Sequence, residues 1–259
     1  ILADGRIRVY AGVSDMGQGN ASTYAQIVSH ILSQPYEAME LVLPDSDKTL
    51  PSASSSASST TFTYGKAMNE AALALKERLL ARAGLLLSFQ LLQSVRNDDL
   101  LLLPGKILHP VSGRNLPLAM VAGFMDSAER IVTASHTSPV NSQALSSGRE
   151  LRMYGFPHQV FSYGAHLVQV EVDACSGEVM VCGGMACIDA GTVLNPQVYE
   201  QQVQGGMAQG LGYALFEEFG VQAGKITTLD FSTYILPTAA DLPELTVSAI
   251  TPHEAAGPF

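Results

Sequence analysis

Three stretches of this 259-residue sequence bring glycine, amides and hydroxyls to places where the chain turns into a helix. Met16-Gly17-Gln18-Gly19 is the first: its glycines let a ligand approach the backbone, and Gln18 both donates and accepts hydrogen bonds. In the second, Ser54 to Thr61, Ala57, Ser58 and Thr60 lie among small side chains, which leave room for a phosphate or a polar ring edge and offer hydroxyls to it. The third, Gln204 to Gly212, sets Gly205, Gly206, Gly210 and Gly212 around Gln209 in a helical run, where each glycine costs roughly 1 kcal/mol relative to alanine. Either close helix packing or ligand access to the backbone and Gln209 would explain that density. The unpaired N–H groups and dipole at a helix start favour an anion. Taken singly, the first stretch is more simply a tight turn and the second a solvated loop, and the first is not followed by the Gly-Lys-Ser/Thr of a Walker loop.

The elements around these stretches read as α+β, in two halves of similar plan with mixed or antiparallel sheets and packed helices. Asp4-Gly5 reads as the turn of a β-hairpin and Arg6 to Gly12 as a strand; a helix follows, with Asn20 as its cap and Tyr24, Ile27, Val28 and Ile31 on one face. Met39 to Leu43 is a further strand, and Gly65 to Ala83, rich in Ala, Leu, Lys and Glu, is a helix stopped by Gly84. A short helix and small strands about Pro104-Gly105 complete a first half, 1–133, and an extended connector covers 134–160. The second half, 161–259, repeats the plan: a hairpin of His166 to Asp173 and Glu178 to Ile188 about Ser176-Gly177, then a helix capped by Asn195 with Pro196 at its first position. Val203, Met207, Gly210 and Ala214 are that helix's expected inner stripe, and Leu245 to Ile250 the last strand.

Charge narrows the function. A net charge of −10, with 14 basic residues and no cluster of them, excludes the basic stripe that nucleic-acid binding needs, so an anionic ligand would be held by backbone. Apolar runs such as Leu100 to Leu103 break well before the roughly 20 residues of a bilayer span, and Ile1 to Gly5 is not the start of a signal peptide. Cys175, Cys182 and Cys187 lack zinc or iron–sulfur spacing and are expected as small buried hydrophobes. At 47% hydrophobic and 15% charged, much of the surface should be covered by something else, and we expect an exposed apolar face bordering the Gln18 and Gln209 loops.

Taken together, the stretches resemble the C-terminal molybdenum-binding part of the xanthine dehydrogenase and aldehyde oxidase family of molybdenum hydroxylases. Asp15-Met16-Gly17-Gln18-Gly19 matches the family's E/D-M-G-Q-G, and Ser56-Ala57-Ser58-Ser59-Thr60 its Ala- and Ser-rich cofactor loop. Asp189, Gly191, Asn195 and Pro196, followed by Gln209-Gly210-Leu211-Gly212, match D-x-G-x-x-x-N-P and a Q-G-L-G helix. Gly257-Pro258-Phe259 matches the start of G-P-F-G-x-K-G-x-G-E.

The resemblance implies the cofactor-binding fold of that family and a molybdopterin cofactor, with its cytosine dinucleotide form left open. It implies contacts from Gly17, Gln18, Gly19, Ala57, Ser58, Thr60 and Gln209, no protein ligand to the metal in this chain, and a cytoplasmic location. The implied reaction is oxidative hydroxylation of a purine-like N-heterocycle or an aldehyde with water-derived oxygen. Electrons would pass to iron–sulfur and FAD groups on other domains or subunits. The family's catalytic glutamate falls just beyond Phe259, and its first cofactor loop and substrate clamps before Ile1. The rest of the molybdenum subunit is therefore an expected partner, and a cofactor-binding module inactive by itself is the alternative. A phosphate or nucleotide binder of another type would need a Walker or Rossmann loop. Glu254 and His253, near the missing base, are poor substitutes for it.

Overall fold

The computed structural model describes residues 1–52, 54–139, 160–251 and 257. The chain divides into two compact units, Ile1–Pro157 together with Ala255–Phe259, and His158–Glu254.

In the first unit a short strand, β1 (Ile7–Tyr10), leads through the helix α1 (Asn20–Leu32) to β2 (Met39–Val42). β1 and β2 pair in parallel, Ile7 opposite Met39. The Asp4-Gly5 turn exists, closed by the Gly5 N–H on the Leu2 carbonyl at 3.0 Å. It does not make the expected hairpin ladder, because the partner of β1 arrives from across the helix. α1 turns Tyr24, Ile27, Val28, Ile31 and Leu32 inward, the 3–4 spacing of one buried helical face.

That face meets the helix α2 (Thr60–Leu91), whose 32 residues bury Met68, Ala72, Leu75, Leu79, Ala83 and Leu87. The expected stop at Gly84 is not one. Gly84 is buried inside the helix, where a Cβ would come within 3.1 Å of the Val95 carbonyl, so here glycine serves close packing. The helix ends instead at Leu92, which is left-handed at φ 52°. A small antiparallel sheet follows, of β3 (Leu101–Leu103), β4 (Lys106–His109) and β5 (Arg114–Pro117), and then the six-residue helix α3 (Leu118–Gly123). Buried Gln34 ties the end of α1 to this sheet. Its amide donates to the Leu32 and Leu103 carbonyls, both at 2.9 Å, and accepts the Gly105 N–H at 2.8 Å, so its burial leaves no polar group unpaired. On α2, the Lys66 ammonium donates to the Gly257 carbonyl at 3.0 Å, which fastens residue 257 to the first unit.

The second unit repeats the strand–helix–strand plan. β6 (Gly164–Val172) and β7 (Val179–Asp189) form the expected hairpin, α4 (Pro196–Leu215) follows, and β10 (Leu245–Ile250) returns to pair in parallel with β7. Two further two-residue strands, β8 (Val221–Gln222) and β9 (Lys225–Ile226), pair with each other in between. Asn195 caps α4 as expected, its side chain accepting the Val198 N–H at 3.1 Å, with Pro196 at the first position. The expected inner stripe of α4 is corrected: Met207 is buried, but Gly210 and Ala214 are exposed. α4 is held to the sheet instead by the Tyr199 hydroxyl on the Ser248 carbonyl and the Gln204 amide on the Leu245 carbonyl, both at 3.0 Å.

The cysteine expectation is corrected as well. Cys175, in the turn between β6 and β7, and Cys182, near the start of β7, are exposed, and Cys187 is half-buried, because few residues of this hairpin are covered. All nine residues of β6 are exposed, with Leu167, Val168, Val170 and Val172 among them. Large apolar side chains also stand out near both glutamines: Met16, in the Gln18 loop, is 72% exposed, and Tyr213, one turn past Gln209 on α4, is 80% exposed. Apolar area on this scale drives association. The isolated chain should therefore self-associate in light scattering and bind a hydrophobic dye; a stable monomer that binds none would contradict this reading of the surface.

Candidate functional site

Within the first unit, the starts of α1 and α2 are built side by side. The Tyr64 hydroxyl, just over one turn into α2, accepts the Gly12 N–H at 2.8 Å, and the Tyr64 and Tyr24 rings stand 5.2 Å apart. Ser52 adds a hydrogen bond from its hydroxyl to the Gly12 carbonyl at 2.9 Å. Gly12 is fixed tightly here, since a Cβ on it would lie 2.2 Å from the Leu50 carbonyl oxygen.

The two helix starts handle their unpaired N–H groups in opposite ways. At α1, the Asp15 carboxylate takes the Gly17 N–H at 2.9 Å, the Gly19 N–H at 3.3 Å and the Ala21 N–H at 2.9 Å. The Ala21 bond above all, with the Gly17 and Gly19 bonds, holds the Asp15 carboxyl below the usual carboxylate range against an opposing desolvation. Because the folded-state value is lowered, the stabilisation is complete above the ordinary carboxylate pKa and is lost as pH falls through the folded one. The N-cap position is Gly19, left-handed at φ 76°, rather than the expected Asn20. Asn20 is turned inward and 3% exposed, and its side-chain nitrogen finds no acceptor among the described residues. Tyr24, fully buried, likewise has an unpartnered hydroxyl; burial first, then Tyr64 and Asp15, push its pKa up, so it stays protonated.

At α2, no side chain caps the helix and no acidic residue lies in its first turn. Among the described residues, the N–H groups of Thr60, Thr61 and Phe62 thus remain for solvent or a ligand. Ahead of them Ser56 to Ser59 form a tight turn, closed by the Ser59 N–H on the Ser56 carbonyl at 3.2 Å. Its central residues, Ala57 and Ser58, are both left-handed, at φ 53° and 54°, and both exposed. Side chains avoid this conformation at a cost of roughly 1–2 kcal/mol per residue, and such strain concentrates at ligand clamps.

The site residues expected from sequence are distributed as follows. Gly17, Gln18 and Gly19 lie in the loop before α1, and Ala57, Ser58 and Thr60 at the start of α2, all in the first unit. Gln209 belongs to the second unit, exposed in the middle of α4 rather than at its start. The Gln18 amide is partly engaged within its own loop, donating to the Ser14 carbonyl at 3.1 Å and accepting the Met16 N–H, which leaves one N–H and one lone pair. Around α4, a Cβ at Gly205, Gly206 or Gly210 would meet nothing within 4 Å, while one at Gly212 would meet Glu217 and Pro237. Close packing accounts for Gly212 alone. His253, Glu254 and the Pro258-Phe259 pair lie outside the described residues, as does most of the expected connector.

Sequence reasoning missed Asp15, Tyr24 and Tyr64 as the residues that shape the site. Asp15 was detectable, because an aspartate two residues before a glycine commonly bonds that residue's N–H. The arrangement suits a ligand with an anionic end, received at the open start of α2, and a neutral polar portion facing the amide-bearing loop of α1.

A fold of this kind occurs in quinoline 2-oxidoreductase from Pseudomonas putida 86, which superposes with a TM-score of 0.77 and 25% identity over 99% of this chain and 31% of that one. Residues 1–243 match the family model of the molybdopterin cofactor-binding domain, and the chain belongs to that family. Among curated relatives, the nicotine 6-hydroxylase large subunit of Paenarthrobacter nicotinovorans is 27% identical over 90% of this chain and 27% of its own length. The xanthine dehydrogenase molybdenum-binding subunit of Escherichia coli is 30% identical over 93% of this chain and 30% of its own length. This chain therefore spans under a third of the length of these relatives.

Two substitutions check the local physics. Gly12→Ala forces a Cβ against backbone and should cost about 1–3 kcal/mol in chemical denaturation. Ala57→Gly relieves a left-handed side chain and should instead stabilise the chain by up to about 1 kcal/mol.

Proposed function

We propose that this chain is the cofactor-holding part of a molybdenum hydroxylase of the xanthine dehydrogenase and aldehyde oxidase type, acting on an N-heterocycle or an aldehyde. The observation that carries the reading is the family match over residues 1–243. The unblocked start of α2, behind the strained Ala57-Ser58 turn, supports it. In this reading the N–H groups of Thr60 to Phe62 and the hydroxyls of Ser58 and Thr60 receive the anionic end of molybdopterin, and the cytosine dinucleotide form would lengthen that end. The Gly17-Gln18-Gly19 loop would contact its metal-bearing portion through the free capacity of the Gln18 amide, and Gln209 is assigned to the same cofactor by the resemblance. When bound, the cofactor supplies two-electron oxidation chemistry with a water-derived oxygen. The chain's own contribution is to bind and orient.

A nitrogen heterocycle is the favoured substrate class, supported by relatives named for nicotine, xanthine and quinoline. The remaining part of the molybdenum subunit, with iron–sulfur and flavin domains or subunits, would complete the assembly and supply the general base. A cytoplasmic location follows from the same resemblance. Among the described residues no helix is long and apolar enough to cross a membrane.

The second reading, a binding module inactive alone, is favoured by the share of the relatives' length that the chain spans. The two are separated by experiment. In the full-length protein, Gln18→Ala, Thr60→Ala and Gln209→Ala should each lower the molybdenum and pterin content of the purified enzyme, with turnover falling in parallel. Unaltered content in all three variants would remove these residues from the cofactor site. The isolated chain reconstituted with cofactor should show no hydroxylase turnover, since general-base catalysis contributes about 10²–10⁴-fold and the base is elsewhere; turnover equal to the complete enzyme would refute the second reading.

A further inference from the structure

We infer that Asp15 is a positioning residue for Gln18: its carboxylate fills the N-terminus of α1 from within and fixes the Gly17-Gln18-Gly19 loop in one conformation. The part concerning Gln18 rests on the proposed role of that amide; the hold of Asp15 on the loop does not.

The geometry is a three-point clasp. Oδ1 accepts from Gly17 at 2.9 Å and from Gly19 at 3.3 Å, and Oδ2 accepts from Ala21 at 2.9 Å. Two of these donors flank Gln18, so the residue is gripped on both sides through its neighbours' backbone. Gly17 and Gly19 are left-handed, at φ 100° and 76°, a conformation that glycine holds without cost but also leaves without cost. Glycine supplies the reach of the loop and not its rigidity. The rigidity comes from the carboxylate, and the Gln18 amide completes the loop through Ser14 and Met16.

Both oxygens of Asp15 are needed as acceptors. An asparagine would keep one and turn an NH₂ group toward the N–H groups it should receive. No acidic residue lies in the first turn of α1 to take its place. The clasp also has a chemical consequence: with a carboxylate already seated there, α1 presents no anion site, and a ligand meets Gln18 as a neutral amide. An anionic group is left to the start of α2.

The test uses the full-length protein and three variants, Asp15→Asn, Asp15→Glu and Gln18→Ala, read by amide hydrogen exchange of the 14–22 segment and by molybdenum content. Hydrogen bonds to a charged acceptor are worth enough that Asp15→Asn should speed exchange across 17–21 by about tenfold or more. It should also lower molybdenum content. Asp15→Glu keeps both acceptor oxygens and should restore slow exchange and the metal content, which a general loss of folding would not allow. Gln18→Ala should leave exchange across 17–21 slow while lowering molybdenum content, and should free only Met16, whose N–H its amide accepts. Wild-type exchange in Asp15→Asn overturns the inference, and so does accelerated exchange with molybdenum fully retained when Gln18→Ala loses it. If Gln18→Ala retains molybdenum while Asp15→Asn still loosens the loop, the role proposed for Gln18 fails and the clasp itself stands.

Discussion

A helix start exposes N–H groups that its own backbone cannot satisfy, and the organisation of the first unit follows from how two adjacent helices meet that constraint. α1 meets it internally, with a carboxylate four residues ahead of its Gly19 cap. α2 leaves it open behind a turn of small, hydroxylic and partly strained residues. Had both been closed, nothing in the unit would attract an anion; had both been open, an anion could settle at either. The asymmetry gives one polar ligand a defined direction.

Holding the two starts together is a packing problem, solved by the apolar faces of α1 and α2 behind them. Tyr24, Ile27, Leu32, Leu79 and Leu87 are essentially inaccessible, and each such side chain contributes about 1.5–3 kcal/mol when fully buried. The polar bond between Gly12 and Tyr64 then sets the local register of the loops. Of the two tyrosines, Tyr24 lies wholly in the core, hydroxyl included, while half-buried Tyr64 packs its ring beside it and receives the Gly12 N–H.

Much of this was legible in the sequence where the signal is local. The β6–β7 hairpin, the Asn195-Pro196 start of α4 and β10 follow from alternation, a turn pair and a cap, each readable within about ten residues. What was not legible depends on distant partners. The Asp4-Gly5 turn suggested a hairpin, but β1 pairs with β2 across a helix. Gly84 looked like a stop, and only Val95 in the folded chain shows that it is a packing position. The cysteines were expected inside because they lie among strand-like residues, yet Cys175 falls in the turn between β6 and β7 and the hairpin is largely uncovered. At the site, the glycine and serine loops were visible, but their inequality was not, since it turns on where the carboxylate of Asp15 points.

The bond between Lys66 and Gly257 also bears on the order in which the molecule is made. Its partners are separated by 191 residues, so α2 emerges from the ribosome long before the carbonyl that receives its lysine. During that interval the second unit is synthesised, and loop closure over such a span is slow compared with forming a helix or a hairpin. The first unit thus takes up residue 257 only after the second has been translated.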